Sequence, residues 1–178
     1  MKWYTSDWNL KINDDRSEGL LERVLKGIAK GDHLYILGDI AEDETSLREA
    51  MLELKKRALE REFKVTLLVG NKDRRYFKYL LKNFCPPVEG VKWFYLKTIH
   101  IERINGIKVT LTHYPLVSFD QSEKNAYHLH GHLKMASPMG GKVFNVTFKR
   151  GKVYSEEELQ EILQGKENNW DFDSPIGA

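Results

Sequence analysis

The sequence predicts an α/β fold in which mixed β-sheets carry helices on their outside. Over the first half of the chain, short apolar runs alternate with segments of helical periodicity, the pattern of parallel βαβ units. The second half reads mostly as strand, with turn signals that pair neighbours antiparallel. The 178 residues are 41% hydrophobic and 30% charged, a composition that can bury a substantial core without staples. Cys85 is the single cysteine, so no disulfide framework holds the fold.

Each element has its own signal. Residues 2–6, Lys-Trp-Tyr-Thr-Ser, form a short strand rich in aromatics and hydroxyls. Leu20, Leu21, Val24, Leu25 and Ile28 recur at helical spacing, with Gly31 as the stop. Residues 33–37 end in a continuous apolar run, Leu-Tyr-Ile-Leu, suited to a buried strand. Ser46 and Glu49 have capping-box spacing and open a helix with Leu47, Ala50, Met51, Leu54 and Ala58 on one face. Residues 65–69 make a third buried strand. Tyr76, Phe77, Leu80, Leu81 and Phe84 line a third helix that Pro86-Pro87 ends.

Residues 92–104 and 107–112 then read as two strands joined at Asn105-Gly106, a strong hairpin signal. A strand near 126–130 follows, and a second hairpin is expected to turn at Arg150-Gly151. Ser155 and Glu158 predict a capped short helix stopping near Gly165. One domain is expected over residues 1–165. The polar tail, 166–178, is expected to fray, with Trp170 and Phe172 available to dock on their own domain or on a second copy, so a homo-oligomer stays open.

Composition and patterning exclude several classes. A net charge of +2 gives no footprint for nucleic acid. The basic stretches Lys55-Lys56-Arg57 and Arg74-Arg75 fall on amphipathic helices and read as solvated faces. No apolar run approaches the ~20 residues of a membrane span. With no basic and apolar leader pattern after Met1, the expected location is the cytoplasm.

The chemistry falls just after strands. Asp7 follows the first, Gly38-Asp39 the second and Gly70-Asn71 the third. His113 and His132 follow the strands ending near Thr112 and His130. In open α/β sheets ligands bind beyond the carboxyl ends of the strands. Carboxylate, carboxamide and imidazole together suit Mn²⁺, Fe²⁺ or Zn²⁺.

The stretches Thr5-Ser6-Asp7, Leu37-Gly38-Asp39, Val69-Gly70-Asn71-Lys72-Asp73, Thr112-His113-Tyr114-Pro115 and Leu129-His130-Gly131-His132 together resemble the calcineurin-like metallophosphoesterases. The resemblance covers about residues 1–155 and lies with the small bacterial and archaeal members. It implies an αββα sandwich of two mixed sheets flanked by helices. It also implies a two-metal site bridged by Asp39. Asn71, His113 and His132 would complete one metal's ligands. The other metal would use Asp7, Asp39 and the positions of Asn9 and Lys134.

This chain departs from the family at three places. The family has His at the positions of Asn9 and Lys134, and a catalytic His at the position of Lys72. Asn offers a neutral carbonyl oxygen, and protonated Lys cannot ligate. All three departures concern one metal and the phosphate side. The resemblance therefore implies a phosphoesterase with one strong divalent-ion site, acting by metal-activated water on a phosphorylated small molecule or nucleotide. Asp39 and the cations Lys72 and Lys134 would serve the chemistry. The alternative is a catalytically inactive relative that binds metal or phosphate, or serves assembly. His128 and His130 are expected to pack and hydrogen-bond near the site.

Overall fold

The structure, a computed structural model, describes residues 1–12, 14, 19–147 and 152–169. In chain order its elements are β1 (Lys2–Thr5), α1 (Leu20–Leu25), β2 (His33–Ile36), α2 (Glu44–Glu60) and β3 (Lys64–Leu68). A 3₁₀ turn (Asp73–Tyr76) then runs into α3 (Phe77–Phe84). There follow β4 (Phe94–Lys97), β5 (Ile99–Ile104), β6 (Ile107–Thr112), β7 (Tyr127–His130), β8 (Val143–Asn145), β9 (Tyr154–Ser155) and α4 (Glu156–Gln164).

The strands form two mixed sheets with flanking helices, the fold class expected. The first has the order β4-β3-β2-β1-β9 and the second β5-β6-β7-β8. β1 to β4 are mutually parallel because helical crossovers join them, and β9 closes the edge antiparallel to β1. In the second sheet β5 and β6 form the antiparallel hairpin, while β7 and β8 continue parallel. Asn105 and Gly106 both have positive φ, 46° and 84°, as a two-residue type I′ turn requires.

Side-chain alternation divides the core. From β2, Leu34 and Ile36 turn toward the helices and pack with Val65, Leu67, Leu47, Met51, Leu54, Leu80 and Phe84. Tyr35 and Leu37 turn the other way and meet Val109, Leu111, Tyr127 and Leu129 of the second sheet, with Leu159 and Leu163 of α4. Each such fully buried aliphatic side chain contributes about 1.5–3 kcal/mol. Phe119, Ala126 and Val143, with Leu116 and Met139, form a third, smaller cluster, and the Phe119 ring stands 5.1 Å from His128.

Four local expectations are corrected or completed. The strand expected over 92–104 is two strands in different sheets, with the switch at Thr98. β4 is the parallel partner of β3, and β5 must pair with β6 through the tight hairpin; one straight strand cannot satisfy both. α2 is capped by Asp43, not by Ser46: the Asp43 carboxylate accepts from the Ser46 backbone N–H at 2.9 Å and from its hydroxyl at 2.8 Å. The helix thus starts a turn earlier. α1 stops at Leu25, yet Ile28 stays buried beyond it. Ser155 caps α4 by accepting from Glu158 N–H at 3.1 Å, while the Glu158 carboxylate pairs with Lys152 instead of closing the box. The hairpin expected at Arg150-Gly151, and Trp170 and Phe172, lie outside the described residues.

Asn169, inside the polar tail, is held on every side. Its N–H donates to Asn125 and its amide NH₂ to the Ser122 and Ala126 carbonyls, while its Oδ1 accepts from Lys142 N–H. Among the described residues, no helix is long and apolar enough to cross a membrane.

Two internal histidines tie stability to pH. His33 stacks on Tyr35 at 4.3 Å and shares a 2.8 Å hydrogen bond with Thr66. His128 donates from Nδ1 to Thr110 O and accepts Leu116 N–H at Nε2, both at 3.0 Å. Burial pushes each imidazole down to a pKa of about 4. The folded chain then keeps both neutral where the unfolded chain, with His near ~6.5, takes up protons. Stability is therefore full above about pH 6.5 and falls as pH drops toward 4. The expected result is a urea midpoint that drops between pH 7 and 4.5, with a shallower fall in His33→Gln. A midpoint independent of pH across that range would refute the assignment.

Candidate metal centre

The site stands at the carboxyl ends of five strands. The segments after β1 and β2 run on side by side: Asp7 N–H donates to Gly38 O at 2.9 Å, Asn9 N–H to Asp39 O at 3.0 Å and Leu10 N–H to Ile40 O at 2.9 Å. Four candidate site residues have left-handed backbone: Asp7 (φ 52°), Asn9 (46°), Asp39 (56°) and His132 (68°). Such conformations in non-glycine residues cost roughly 1–3 kcal/mol each and concentrate at functional sites.

Three glycines let the loops approach this closely. A Cβ at Gly38 would strike the His113 ring and come 2.9 Å from Gly70 Cα. One at Gly70 would strike the Asp39 carboxylate and lie 2.7 Å from its backbone N. One at Gly131 would strike the Ser6 hydroxyl and come within 2.6 Å of Asp7 Oδ2. Side chains at these positions would push the metal-facing groups apart.

Asp73 ties two of the loops together. Its buried carboxylate accepts three backbone N–H groups, Asp39 at 2.7 Å, Gly70 at 2.9 Å and Ile40 at 3.1 Å. Burial pushes its pKa up, and these three donors pull against that. The Asp7 carboxylate is also buried. It accepts from the Ser6 hydroxyl at 2.5 Å and from His132 N–H at 2.8 Å, and burial likewise pushes its pKa up against these bonds.

Asp7, Asp39 and His113 bring one ligand atom each within 4.8 Å of one another, all from buried residues. This cluster can hold a metal ion. Proton accounting supports the fit. His113 donates from Nδ1 to Leu37 O at 2.7 Å, so in the neutral ring Nε2 carries a bare lone pair. Around that atom stand Asn71 Oδ1 at 3.1 Å, His132 Nδ1 at 3.2 Å and Asp39 Oδ1 at 3.7 Å. With the His113 ring neutral, neither oxygen has a proton to give Nε2, and a cation among these four atoms would be met by all of them. Oxygen and imidazole donors in this mixture suit a first-row divalent ion. Tyr114 stands with its ring centre 4.8 Å from both His113 and His132.

The remaining candidates divide. Lys72 N–H donates to Asp39 Oδ1 at 3.0 Å, and its ammonium donates to Asn9 Oδ1 at 2.6 Å and to Glu42. Asn9 therefore lies beside the centre with its side-chain oxygen on a lysine. Lys134 is exposed on the loop after His132, and none of the described hydrogen bonds or ion pairs includes it. His132 lies beyond the end of β7, so it does not share the strand alternation of His128 and His130. Those two stay structural: His130 donates from Nδ1 to Gly131 O at 2.8 Å and accepts from the Ser137 hydroxyl at Nε2.

Sequence reasoning assigned no role to Ser6, Glu42 or Asp73. Asp73 stands within the Gly-Asn-Lys-Asp stretch, but only its burial reveals three N–H partners. Glu42 had no signal, because an acidic residue just before a helix reads as ordinary.

No protein-family profile matches this chain, and no curated protein sequence matches it. Among solved structures, a protein of unknown function from Aquifex aeolicus is similar over 91% of this chain and 98% of its own, at 18% identity and TM-score 0.60. That likeness establishes a shared fold. A conserved uncharacterized protein of Streptococcus pneumoniae, described as a predicted phosphoesterase, aligns over 82% of this chain and 70% of its own, at 18% identity and TM-score 0.39. A score that low supports no conclusion about this chain.

Asp73→Ala is expected to lose roughly 3 kcal/mol or more of stability, since three buried N–H groups each lose a partner worth about 1–3 kcal/mol. Urea unfolding measures it. A loss below about 0.5 kcal/mol, the range of an ordinary surface change, would show that Asp73 does not hold the two loops.

Proposed function

We propose that the protein is a metal-dependent phosphoesterase, acting on phosphate monoesters or diesters of a small molecule or nucleotide. Asp7, Asp39, Asn71, His113 and His132 would hold one divalent ion. The observation that carries the reading is the convergence of Asn71 Oδ1, His132 Nδ1 and Asp39 Oδ1 on His113 Nε2, beside the buried cluster of Asp7, Asp39 and His113. A bound divalent ion supplies Lewis acidity toward phosphate oxygens and lowers the pKa of water at neutral pH.

The chain's own residues shape access and charge. Asp39 and His113 are buried, whereas Asn71 and His132 are exposed, so the centre is closed below and open to solvent on one side. A phosphate and a water can enter there. Two carboxylates alone would repel an anionic ester. The Lys72 ammonium beside Asn9, and Lys134 on the adjoining loop, supply positive charge toward the developing negative charge on phosphate. Leu37 O keeps His113 in the tautomer that leaves Nε2 available.

One observation favours a second reading, a binding module without catalysis. Lys72 stands where the resembled family places its catalytic histidine, and its ammonium is engaged by Asn9 and Glu42. In that arrangement it is not free to hand a proton to a leaving group.

Hydrolysis of an activated phosphodiester by chelator-stripped protein, titrated with Mn²⁺, separates the two. The expected result is metal-dependent turnover that falls roughly 100-fold or more in Asp39→Asn, beyond the 10–100-fold typical of an outer-shell loss. Mn²⁺ binding without turnover on monoester or diester probes would favour the binding module. Absence of Mn²⁺ binding would overturn the metal-dependent phosphoesterase and leave only a module that binds phosphate or serves assembly.

A further inference from the structure

The Lys72 ammonium lies between two oxygen acceptors on the side of the centre where the resembled family holds its second ion. It donates to Asn9 Oδ1 at 2.6 Å and to the Glu42 carboxylate. Asn9 cannot turn away without loss, because its Nδ2–H is already bonded to Asp7 O at 3.0 Å. Its amide is thereby oriented with the oxygen toward Lys72. The lysine is fixed at its other end too, where its backbone N–H donates to Asp39 Oδ1 at 3.0 Å. Its side chain is 28% exposed, so the charge is partly withdrawn from water.

We infer that the Lys72 ammonium, clamped by Asn9 and Glu42, is a built-in cation that replaces a second metal ion and restricts the centre to one. The inference rests on the metal-site reading above and adds Glu42 as a positioning residue. Charge supports it. One divalent ion and one ammonium balance the three carboxylates Asp7, Asp39 and Glu42, while Asp73 is matched by its three N–H donors. A second divalent ion at Asn9 would face a fixed ammonium within hydrogen-bond distance of the same oxygen, and at that separation like charges repel. The neutral residue at position 9 fits the same logic: its carbonyl serves an ammonium well and a transition metal poorly.

The test is metal stoichiometry on the full chain, with Mn²⁺ as the probe, by isothermal titration and by metal analysis after desalting. Wild type and Lys72→Arg are expected to bind one ion per chain, without the spin-coupled signal of a manganese pair in electron paramagnetic resonance. Lys72→Gln removes the cation and leaves Glu42 unpaired; it is expected to gain a second, weaker ion, and Lys72→Gln with Glu42→Gln to return to one. Circular dichroism confirms that each variant folds. Should Lys72→Gln fail to fold, Asn9→His carries the test: it is expected to stay at one ion because the ammonium remains. Two ions in wild type, two in Asn9→His, or one in a folded Lys72→Gln would each overturn the built-in cation. Wild type binding none would overturn the metal-site reading itself.

Discussion

Three backbone N–H groups, from Asp39, Ile40 and Gly70, end on one buried carboxylate, that of Asp73. The loops they belong to leave neighbouring parallel strands, and nothing in a β-ladder joins such loops once the strands have ended. Asp73 supplies that joint from the first residue of the 3₁₀ turn leading into α3. The direction in which Asp39 presents its side chain follows from it, since the Asp39 N–H is pulled into the carboxylate while φ is held at 56°. A carboxylate is costly to bury, and three charge-assisted N–H bonds are the arrangement that makes it tolerable.

The Leu37 carbonyl plays the matching part between the two sheets. It ends the apolar run of β2, accepts from His113 Nδ1 at 2.7 Å and lies 2.7 Å from Ser6 Oγ, whose single proton it shares with the Asp7 carboxylate. Ser6 belongs to the first sheet's loop and His113 to the second's, so one oxygen sets the spacing of both. The absence of a Cβ at Gly131 lets the loop after β7 close over the same point, where Leu37 O would lie 2.8 Å from such an atom. With His113 held by Leu37 O through Nδ1 and His132 donating its backbone N–H to Asp7, the candidate ligand atoms are positioned by the protein alone. Such positioning is what a metal ligand needs from its outer shell.

Much of this was legible because the chemistry-bearing residues sit directly after apolar runs. Asp7, Asp39, Asn71 and His113 are read off strand ends, and the alternation of strand and helix places those ends on one side. What stayed hidden depends on facing. In β5 the apolar Ile99 and Ile101 are 50% and 45% exposed. His100, Glu102 and Ile104 face the first sheet instead. Glu102 accepts from the Tyr4 and Tyr35 hydroxyls at 2.7 and 2.9 Å and pairs with Lys2 at 3.0 Å, so an acidic residue serves as an inter-sheet tie. Two strand positions reversed in polarity cannot be told from a solvated edge without knowing the partner sheet. Glu42 was hidden because Lys72 is distant in sequence, and Asp73 because two of its three partners, Asp39 and Ile40, are.

Asn9 and Lys72 are best understood as one unit. Taken singly, each replaces a histidine of the resembled family with a group poorer at ligation or proton transfer. Taken together, the carbonyl of one and the ammonium of the other form a 2.6 Å hydrogen bond that neither histidine would make. Glu42 completes the charge from the loop that leads into α2. Here Asp39, Asn71, His113 and His132 keep their mutual geometry, with His113 Nε2 as the shared neighbour. If an ion binds at His113, the second positive charge beside it would be covalently attached to the chain: it would neither dissociate nor depend on metal supply, and it could not take a water ligand. Only the side around His113 would then offer a place for an exchangeable ion, and it is there that Asn71 and His132 are exposed to solvent.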